Sequence, residues 1–227
     1  MTIDIYTVAT ANGERIHIAL EELDIDYRLH PVDMARGAHR SEAFLELNPF
    51  GRAPVMVDRE GYRPPLILAE TTAILVHLAC RTGRLLPTEE VERLQTLQWL
   101  AMIAANAAPA FRGEYHFAHQ LSRHNAGACA YFKAECATVL GAIEMALAGR
   151  EYLVGNKFSI ADIQCFPLLA TSARRLENGL DPYPNLCTYR DRLAQRPGFR
   201  RGMAILKNVG APSSDGSPLP GEAKHDF

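Results

Sequence analysis

The first eighty residues alternate between short apolar runs and longer segments with helical periodicity. The β-prone runs lie at 3–8, 27–32, 55–57 and 66–68. Helical patterns, in which apolar positions recur every three to four residues, mark 13–23, 41–47 and 70–81. The order strand, helix, strand, helix, strand, strand, helix predicts one α/β layer built on a mixed sheet.

From about Thr88 the strand signals disappear and alanine becomes abundant. Helical apolar patterns follow one another at 91–111, 127–148, 160–173 and 184–196. The end of the chain is rich in proline, glycine, serine and charge, which is typical of an extended segment. The sequence therefore predicts an α/β domain at 1–82, a linker at 83–90, an all-helical domain at 91–209 and a flexible tail at 210–227.

Composition and charge narrow the classes of partner. The chain has 227 residues, of which 48% are hydrophobic and 22% charged, as in globular proteins. Its formal net charge is −2 and its acids and bases are interspersed, so we expect neither nucleic acid nor a membrane surface as partner. The start MTIDIYTVAT lacks the basic region of a signal peptide, and no apolar run approaches the roughly 18 residues of a membrane span. We therefore expect a cytoplasmic protein with a small-molecule or protein partner.

The cysteines are odd in number and form no CxxC pair, and most lie within apolar helical patterns. We expect them to be reduced, buried, small hydrophobic residues, so a reactive thiol would have to come from elsewhere. The five are Cys80, Cys129, Cys136, Cys165 and Cys187. The spacing of His116, His119 and His124 is a weak metal-ligand pattern, and we expect no metal.

Pro54 lies directly before a predicted strand, in the stretch NPFGRAPV at 48–55. Because proline cannot donate to a strand ladder, it indicates an edge or a special bend. One hypothesis is a trans proline in an ordinary turn, which is the commoner isomer. The other is a cis proline that leaves the backbone groups of Ala53 facing a pocket, where they pair with an extended peptide as a strand would.

Two further turns combine polar side chains with the start of a helix. Glu70, Thr71 and Thr72 head an apolar helix, where free N–H groups and the positive dipole end suit an anion. The turn TVATANG at 7–13 carries a hydroxyl and an amide directly before the next helix. Simple capping is the alternative at both turns. The stretch GNKFSIAD at 155–162 is spaced as a capping box, and we expect its role to be structural.

Together these stretches resemble, in order and spacing, the landmarks of the glutathione transferase family. GAHRSEAFLELNPFGRAPVMVD (37–58) is similar to the family's segment from the glycine site through its proline. The pair at 70–71 resembles its acidic-hydroxyl pair, and GNKFSIADI (155–163) its capping motif in the helical domain. The resemblance reaches to about residue 207. It implies an N-terminal thioredoxin-like domain, a C-terminal helical bundle, and glutathione as cosubstrate without a metal.

The resemblance also implies which residues hold the peptide part of glutathione. Ala53, just before the family's cis proline at Pro54, would pair its backbone with the cysteinyl part. Glu70 and Thr71, at a helix start, would hold the γ-glutamyl amine and carboxylate. These roles follow from matching positions in the family's motifs.

At the other end of the ligand, Arg52 and His39 would face the glycyl carboxylate. The pattern TANG most resembles the bacterial nu class, related to the yeast Ure2 proteins, in which a threonine and an asparagine flank the sulfur. Thr10 and Asn12 are therefore the candidate catalytic residues. Tyr6 lies two residues before the turn, and we expect it to fill the core.

The free energy needed to ionise the glutathione thiol agrees with this assignment. A free thiol with a pKa of about 8.5 is only a few per cent thiolate at neutral pH. Lowering the pKa by about two units requires roughly 2.7 kcal/mol, and one charge-assisted hydrogen bond supplies about 1.5–3 kcal/mol. The Thr10 hydroxyl, helped by the Asn12 amide, is therefore sufficient without a protein base.

Two chemistries are open to such a thiolate, namely thiol–disulfide exchange and attack on an electrophile. The nu-class resemblance favours exchange, and the absence of a cysteine between Thr10 and Asn12 agrees with it. A non-catalytic glutathione-binding regulatory protein and a specialised glutathione-dependent isomerase are the alternatives.

The second substrate, a disulfide or an electrophile, is expected against the first long helix of the helical domain. Its candidate residues are Phe111, Arg112, Tyr115 and His116. The alternative is that Phe111 and Tyr115 belong to the core and the other two to the surface.

The family resemblance implies a homodimer with twofold symmetry, in which the N-terminal domain of one subunit meets the helical domain of the other. The helical face around Leu94, Leu97 and Trp99 is a candidate contribution to this interface. Internal core is the alternative for the same face.

Overall fold

Four strands form the sheet of the first structural unit, in the order β2-β1-β3-β4. The structure is a computed structural model and describes residues 3–121, 125–176 and 178–208. The strands are β1 (Ile3–Thr7), β2 (Tyr27–Pro31), β3 (Val55–Asp58) and β4 (Leu66–Ala69). β1 runs parallel to β2 and antiparallel to β3, and β3 runs antiparallel to β4. The predicted mixed sheet of a thioredoxin-like domain is confirmed.

The helices of this unit bury their apolar faces against the two sides of the sheet and against each other. They are α1 (Ala11–Leu23), α2 (Glu42–Leu47) and α3 (Thr71–Thr82), with a short 3₁₀ turn at Ala38–Arg40. Phe44 of α2 packs with Tyr6 and Val55 in one buried cluster. Since side chains alternate along a strand, Ile5 and Met56 point to the opposite side, where both are fully buried. α1 packs against α3.

The last described helix, α9 (Pro197–Asn208), packs on α1. Two glycines permit the close approach. A Cβ on Gly202 would lie 2.7 Å from the Cα of Ile18, and one on Gly198 would lie 2.7 Å from the Glu22 side chain. Arg201 donates from Nε to a carboxylate oxygen of Glu21 at 2.5 Å and from a terminal nitrogen to its backbone carbonyl at 2.9 Å.

The contacts therefore divide the chain differently from the predicted boundaries. One unit contains the chain up to Thr82 and again from Pro197, and the other is Gly83–Arg196. The predicted helical domain at 91–209 included α9, whose residues pack instead with the first unit because the glycine pair fits them to α1. The tail predicted at 210–227 lies outside the described residues.

The second unit is helical throughout, as predicted for a helical bundle domain. Its helices are α4 (Glu90–Met102), α5 (Ala108–Tyr115), α6 (Ala126–Ala146), α7 (Ile160–Arg175) and α8 (Pro184–Ala194). A π-helical segment at Ile103–Ala107 interrupts the helix that the apolar pattern predicted as continuous over 91–111, and a second π-helical segment, His116–Gln120, follows α5. Pro109 explains the interruption, because proline has no N–H for the preceding turn.

The capping box at the start of α7 is confirmed. The Ser159 backbone donates to Asp162 Oδ2 at 2.7 Å, and the Ala161 backbone donates to Ser159 Oγ at 3.3 Å. The second oxygen of Asp162, which is fully buried, accepts from the Tyr189 hydroxyl at 2.7 Å and the Leu153 backbone at 3.0 Å. Ser159 and Asp162 thus fix the start of a core helix, as expected of a structural motif.

The expectation that the cysteines are buried was right for three of them and wrong for two. Cys129, Cys136 and Cys165 are buried, whereas Cys80 is exposed and Cys187 is half-buried, and all five are free thiols. Cys80 is exposed because α3 turns that position away from α1 and the sheet, an orientation that the apolar pattern of α3 did not reveal.

Within residues 3–121, 125–176 and 178–208, no helix has both the length and the apolar character needed to cross a bilayer.

Candidate active site at one edge of the sheet

Three connecting segments meet at one edge of the four-stranded sheet. Tyr6 is paired with Val55 across β1 and β3, and Val55 with Ala69 across β3 and β4. The carboxyl ends of β1 and β4 therefore lie on either side of the amino end of β3, with β1 and β4 about 10 Å apart. We call this end of the sheet the site edge. Three segments meet there: the turn at 8–12, the loop at 48–54 and the turn at 70–72.

Two helices begin at the site edge. α1 starts directly after the turn that follows β1, and α3 starts directly after β4. Each helix start directs the positive end of its helix dipole toward this edge. The edge is therefore suited to an anionic ligand with more than one negative group.

The turn after β1 exposes both predicted catalytic residues. Thr10 is the N-cap of α1, and its Oγ1 accepts from the Gly13 backbone at 3.4 Å. Thr10 and Asn12 are both exposed. A Cβ on Gly13 would lie 2.4 Å from the Val8 carbonyl oxygen, so only glycine fits this tight turn. The capping hypothesis is thus confirmed for Thr10, yet the bond uses only an oxygen lone pair and leaves the hydroxyl hydrogen available to a ligand.

Asn12 is held by a side chain from the next turn of α1. The Arg15 guanidinium donates a hydrogen bond to Asn12 Oδ1. Arg15 is only 4% exposed, which is unusual for arginine on the first turns of a helix. Nothing in the sequence pattern singled out Arg15, because a charge three residues after a polar side chain is common on helix surfaces.

The loop before β3 contains the cis proline that one of the two hypotheses required. The Ala53–Pro54 bond is cis, Ala53 is half-buried and Pro54 is buried. The side chain of Asn48 organises this loop from inside, since its Nδ2 donates to the Arg52 carbonyl at 2.7 Å and its Oδ1 accepts from the Phe50 backbone at 3.1 Å. Asn48 was missed by sequence reasoning, although its buried role could have been sought in the polar residue at the start of NPFGRAPV.

The residues predicted for the glycyl carboxylate flank this loop. Arg52 is exposed, and His39 lies half-buried in the 3₁₀ turn. Gly51 allows the loop to approach the 3₁₀ turn closely, because a Cβ at this position would lie 2.7 Å from the His39 carbonyl oxygen. The His39 Nδ1 atom is buried and has no hydrogen-bond partner in the described part of the chain.

The turn after β4 places a carboxylate at the start of α3. Glu70 has a left-handed backbone, with φ of 66°, and its side chain is exposed. Its carbonyl accepts from the Ile74 backbone at 3.1 Å, so Glu70 is the residue from which α3 starts. A left-handed conformation costs about 1–3 kcal/mol in a residue other than glycine and is characteristic of functional sites. Thr71, by contrast, is buried, with 8% of its surface exposed.

Tyr6 is part of the core, as expected. Its ring stacks on His30 with 4.7 Å between centroids and meets the edge of Phe44 at 6.4 Å. Burial and the neighbouring Asp4 carboxylate raise the pKa of the Tyr6 hydroxyl. These contacts place Tyr6 in the buried cluster with Phe44 and Val55.

The residues predicted for the second substrate belong to the other unit. Phe111 and Tyr115 are half-buried on α5, whereas Arg112 and the following His116 are exposed. Their spacing puts them on one side of consecutive helical turns. His116 Nδ1 lies 3.1 Å from Gln120 Oε1, and the rings of Tyr115 and His119 lie 5.4 Å apart. Whether this set binds a substrate stays a prediction.

The described residues contain no group of three side chains arranged to hold a metal ion. His124, which formed part of the weak histidine pattern, lies outside the described residues.

Comparisons with known proteins agree with the fold. The model of the glutathione S-transferase N-terminal domain matches residues 11–81, and that of the C-terminal domain matches residues 126–197. The chain is 34% identical over 208 residues to the disulfide-bond oxidoreductase YfcG of Escherichia coli, which covers 90% of this chain and 95% of that protein.

Two solved structures are similar over nearly the whole chain. A glutathione transferase from Pseudomonas putida, with one glutathione disulfide bound per subunit, is 29% identical with a TM-score of 0.84, covering 90% of this chain and 91% of that one. Ure2p in complex with glutathione is 26% identical with a TM-score of 0.83, covering 89% of this chain and 93% of that one. The chain therefore belongs to the glutathione S-transferase family, and within it to the type represented by Ure2p and the bacterial disulfide-bond oxidoreductases.

Proposed function

We propose that this protein binds glutathione at the site edge and uses its thiolate to reduce disulfides. The observation that carries the proposal is the register of β1, β3 and β4, which brings the Thr10 turn and the cis-proline loop together with the start of α3. Each segment offers a different part of what a γ-glutamyl tripeptide requires. The hydroxyl and amide groups donate hydrogen bonds to the sulfur, the extended backbone pairs with the peptide, and the carboxylate binds the amine.

In this proposal the three parts of glutathione are held separately. The backbone of Ala53 pairs with the cysteinyl residue, as one strand pairs with another. Glu70 accepts from the γ-glutamyl amine, and the start of α3 at Thr71 receives the neighbouring carboxylate. Arg52 and His39, on either side of Gly51, face the glycyl carboxylate. The exposure of Glu70 and Arg52 supports these roles, because both charges are open to a ligand.

Thr10 and Asn12 stabilise the thiolate. Thr10 donates its hydroxyl hydrogen while its oxygen caps α1, and Asn12 donates from Nδ2 while its oxygen is held by Arg15. The positive end of the α1 dipole adds to these bonds. Two donors of about 1.5–3 kcal/mol each suffice to lower the thiol pKa by about two units.

The reduction proceeds in two exchanges. The bound glutathione thiolate attacks one sulfur of the substrate disulfide, the S–S bond breaks, and the other sulfur leaves as a thiolate that takes a proton from water. A second glutathione thiolate attacks the mixed disulfide at the glutathione sulfur, releasing the second substrate thiol and glutathione disulfide. Two glutathione molecules thus supply the two electrons.

No protein thiol takes part in this scheme. The turn at 7–13 contains no cysteine. Burial, followed by the charges of Glu114 and Glu135, raises the pKa of Cys136 to about 12, which removes it from consideration as a nucleophile. The name of the Escherichia coli relative and the glutathione disulfide in the Pseudomonas putida structure support exchange over conjugation. The disulfide or electrophile is proposed to contact Arg112 and His116 with Phe111 and Tyr115.

The test is the reduction of 2-hydroxyethyl disulfide by glutathione, coupled to glutathione reductase. The wild type, Thr10→Ala, Asn12→Ala and Cys80→Ser are compared, the last because Cys80 is the one exposed cysteine among the described residues. We expect activity that falls at least about 10-fold in the first two variants and is unchanged in Cys80→Ser. An inactive wild type that still binds glutathione would contradict the proposal and point to conjugation or to a regulatory role. Loss of activity in Cys80→Ser would contradict the absence of a protein thiol.

A further inference from the structure

The Asn12 side chain is chemically ambiguous unless something fixes its orientation. Its amide carries an acceptor oxygen and a donor nitrogen that exchange places on rotation by half a turn. A thiolate is an anion and is stabilised only by the nitrogen. An exposed asparagine with no anchor would spend part of its time with the wrong atom toward the sulfur.

The structure supplies an anchor one helical turn away. Arg15 lies three residues after Asn12 on α1 and donates to its Oδ1. A guanidinium has five donors and no acceptor, and it stays charged at all physiological pH values. It can therefore bind the oxygen of Asn12 and never the nitrogen.

Burial makes this anchor rigid. Arg15 is 4% exposed, whereas Asn12 is exposed. A buried, planar guanidinium loses little further freedom when it holds a partner. The oxygen of Asn12 is consequently directed back toward the helix, and Nδ2 is directed out to the site edge.

We propose that Arg15 is a positioning residue that fixes the Asn12 amide with its nitrogen toward the glutathione sulfur. The inference rests on the proposed role of Asn12 in thiolate stabilisation. Arg15 acts through Asn12 and does not touch the ligand. Its charge also polarises the Asn12 amide, so that the outward N–H is a stronger donor than that of an isolated asparagine.

The first test needs no ligand. In the unsubstituted protein, nitrogen-15 relaxation of the Asn12 side-chain amide is expected to give an order parameter near 0.8, as in rigid backbone. A value below about 0.6, typical of a free surface side chain, would overturn the proposal. Because glutathione is absent, this result does not depend on the proposed function.

The second test measures the thiol pKa of bound glutathione, from the thiolate absorbance of the complex as pH is varied. Arg15→Met removes the charge and the donors while keeping the length of the chain, and we expect a rise of about one unit. The rate of disulfide reduction at pH 6.5 falls about 10-fold and recovers at high pH, while the KM for glutathione changes less than about twofold. Arg15→Lys keeps a donor and the charge, and it restores most of the activity.

Two controls separate positioning from other effects. Arg59 follows the end of β3 that lies away from the site edge, and its guanidinium binds Asp4. In Arg59→Met the thiol pKa is expected to stay as in the wild type. In the Asn12→Ala background, Arg15→Met is expected to cause no further rise. An equal rise in both backgrounds, or a folded Arg15→Met protein with the wild-type pH profile, would overturn the proposal.

The same titration separates a failure of the proposed function from a failure of the positioning role of Arg15. A wild-type complex whose thiol pKa is not lowered contradicts the proposed function. A lowered pKa that Arg15→Met leaves unchanged contradicts only the positioning role.

Discussion

At the turn after β1, the proposed function of Asn12 depends on a single nitrogen atom, Nδ2. Asn12→Asp keeps the size of the side chain and an acceptor for Arg15 but replaces the donor with a negative oxygen. We expect kcat/KM for glutathione-dependent disulfide reduction to fall about 10-fold in Asn12→Ala and about 100-fold in Asn12→Asp, because the carboxylate repels the thiolate. Steady-state kinetics at pH 7 measures both. An active Asn12→Asp protein would show that the amide nitrogen is not a donor to the sulfur.

His17, in the middle of α1, makes folding sensitive to acid. It is fully buried and neither ring nitrogen has a hydrogen-bond partner within the described residues. Burial lowers the pKa of His17 from 6.5 to about 4, although the Glu21 carboxylate opposes the shift. Below pH 6.5 the unfolded chain therefore binds a proton that the folded protein does not, and stability is lost as the pH falls toward 4.

Replacing His17 removes this loss. Between pH 7 and pH 4.5 the free energy of unfolding is expected to fall about 2–3 kcal/mol more in the wild type than in His17→Leu. Denaturant unfolding at the two pH values measures the difference. Equal pH dependence in the two proteins would mean that His17 is protonated in the folded state or is not the group responsible.

At the scale of single residues, the sequence identified candidates whose proposed roles depend on local chemistry. The Thr10 turn, Pro54 and Glu70 were recognised because a helix start or a strand mouth can be read from neighbouring residues. Arg15 and Asn48 were not, since their importance comes from burial and from one partner each, which a sequence pattern does not contain.

At the scale of elements, the docking of α9 on α1 depends on the absence of a side chain. Gly202→Ala would place a Cβ 2.7 Å from the backbone of Ile18, and neither helix backbone can yield cheaply. We expect a loss of about 2–3 kcal/mol in the free energy of unfolding. Gly141→Ala on α6 is the matched control, because a Cβ at that position would meet nothing within 4 Å and the better helix former should be neutral or stabilising by up to about 1 kcal/mol.

Thermal or denaturant unfolding of the two variants side by side tests this packing. Equal stabilities would mean that α9 does not rest on α1 through Gly202.

The elements themselves were largely predictable, and the exceptions have physical causes. The strands followed from short β-prone runs in the sequence, and α7 from its capping box. The π-helical segment at Ile103–Ala107 was not foreseen, because alanine-rich sequence supports several helical hydrogen-bond patterns and only Pro109 favours the wider one. The packing of α9 was not foreseen because helical periodicity does not reveal the partner of an apolar face.

At the scale of the whole molecule, we propose a twofold homodimer in which the outer face of α4 takes part. Leu94 is 58% exposed, and Leu97 and Trp99 are half-buried, so this face is not simply internal core. Light scattering is expected to give about 50 kDa, twice the 25.1 kDa of one chain. Leu94→Glu should shift the mass toward the monomer, because a charge would be buried in the contact.

The matched control for this substitution is Tyr131→Glu, at a residue of α6 with 59% exposure. It should leave the mass unchanged. A monomeric wild type would contradict the dimer, and equal effects of both substitutions would contradict the assignment of the interface to α4.

The fold of the whole molecule was predictable because its signals are repeated. The predicted strands and helices are all consistent with one fold, and the family resemblance spans nearly the whole chain. The candidate site depends instead on how β1, β3 and β4 are aligned, and only the register showed that the three polar segments end at the same edge.

The most direct test of the central claim, that these segments form one glutathione site, is calorimetric titration with glutathione. Glu70→Gln removes the carboxylate proposed to hold the γ-glutamyl amine, whereas Glu60→Gln changes a similar residue that binds Arg81 beyond the far end of β3. We expect binding by the wild type, a Kd raised about 10-fold or more in Glu70→Gln, and a Kd within about twofold of the wild type in Glu60→Gln. The same Kd in Glu70→Gln as in the wild type would contradict the central claim.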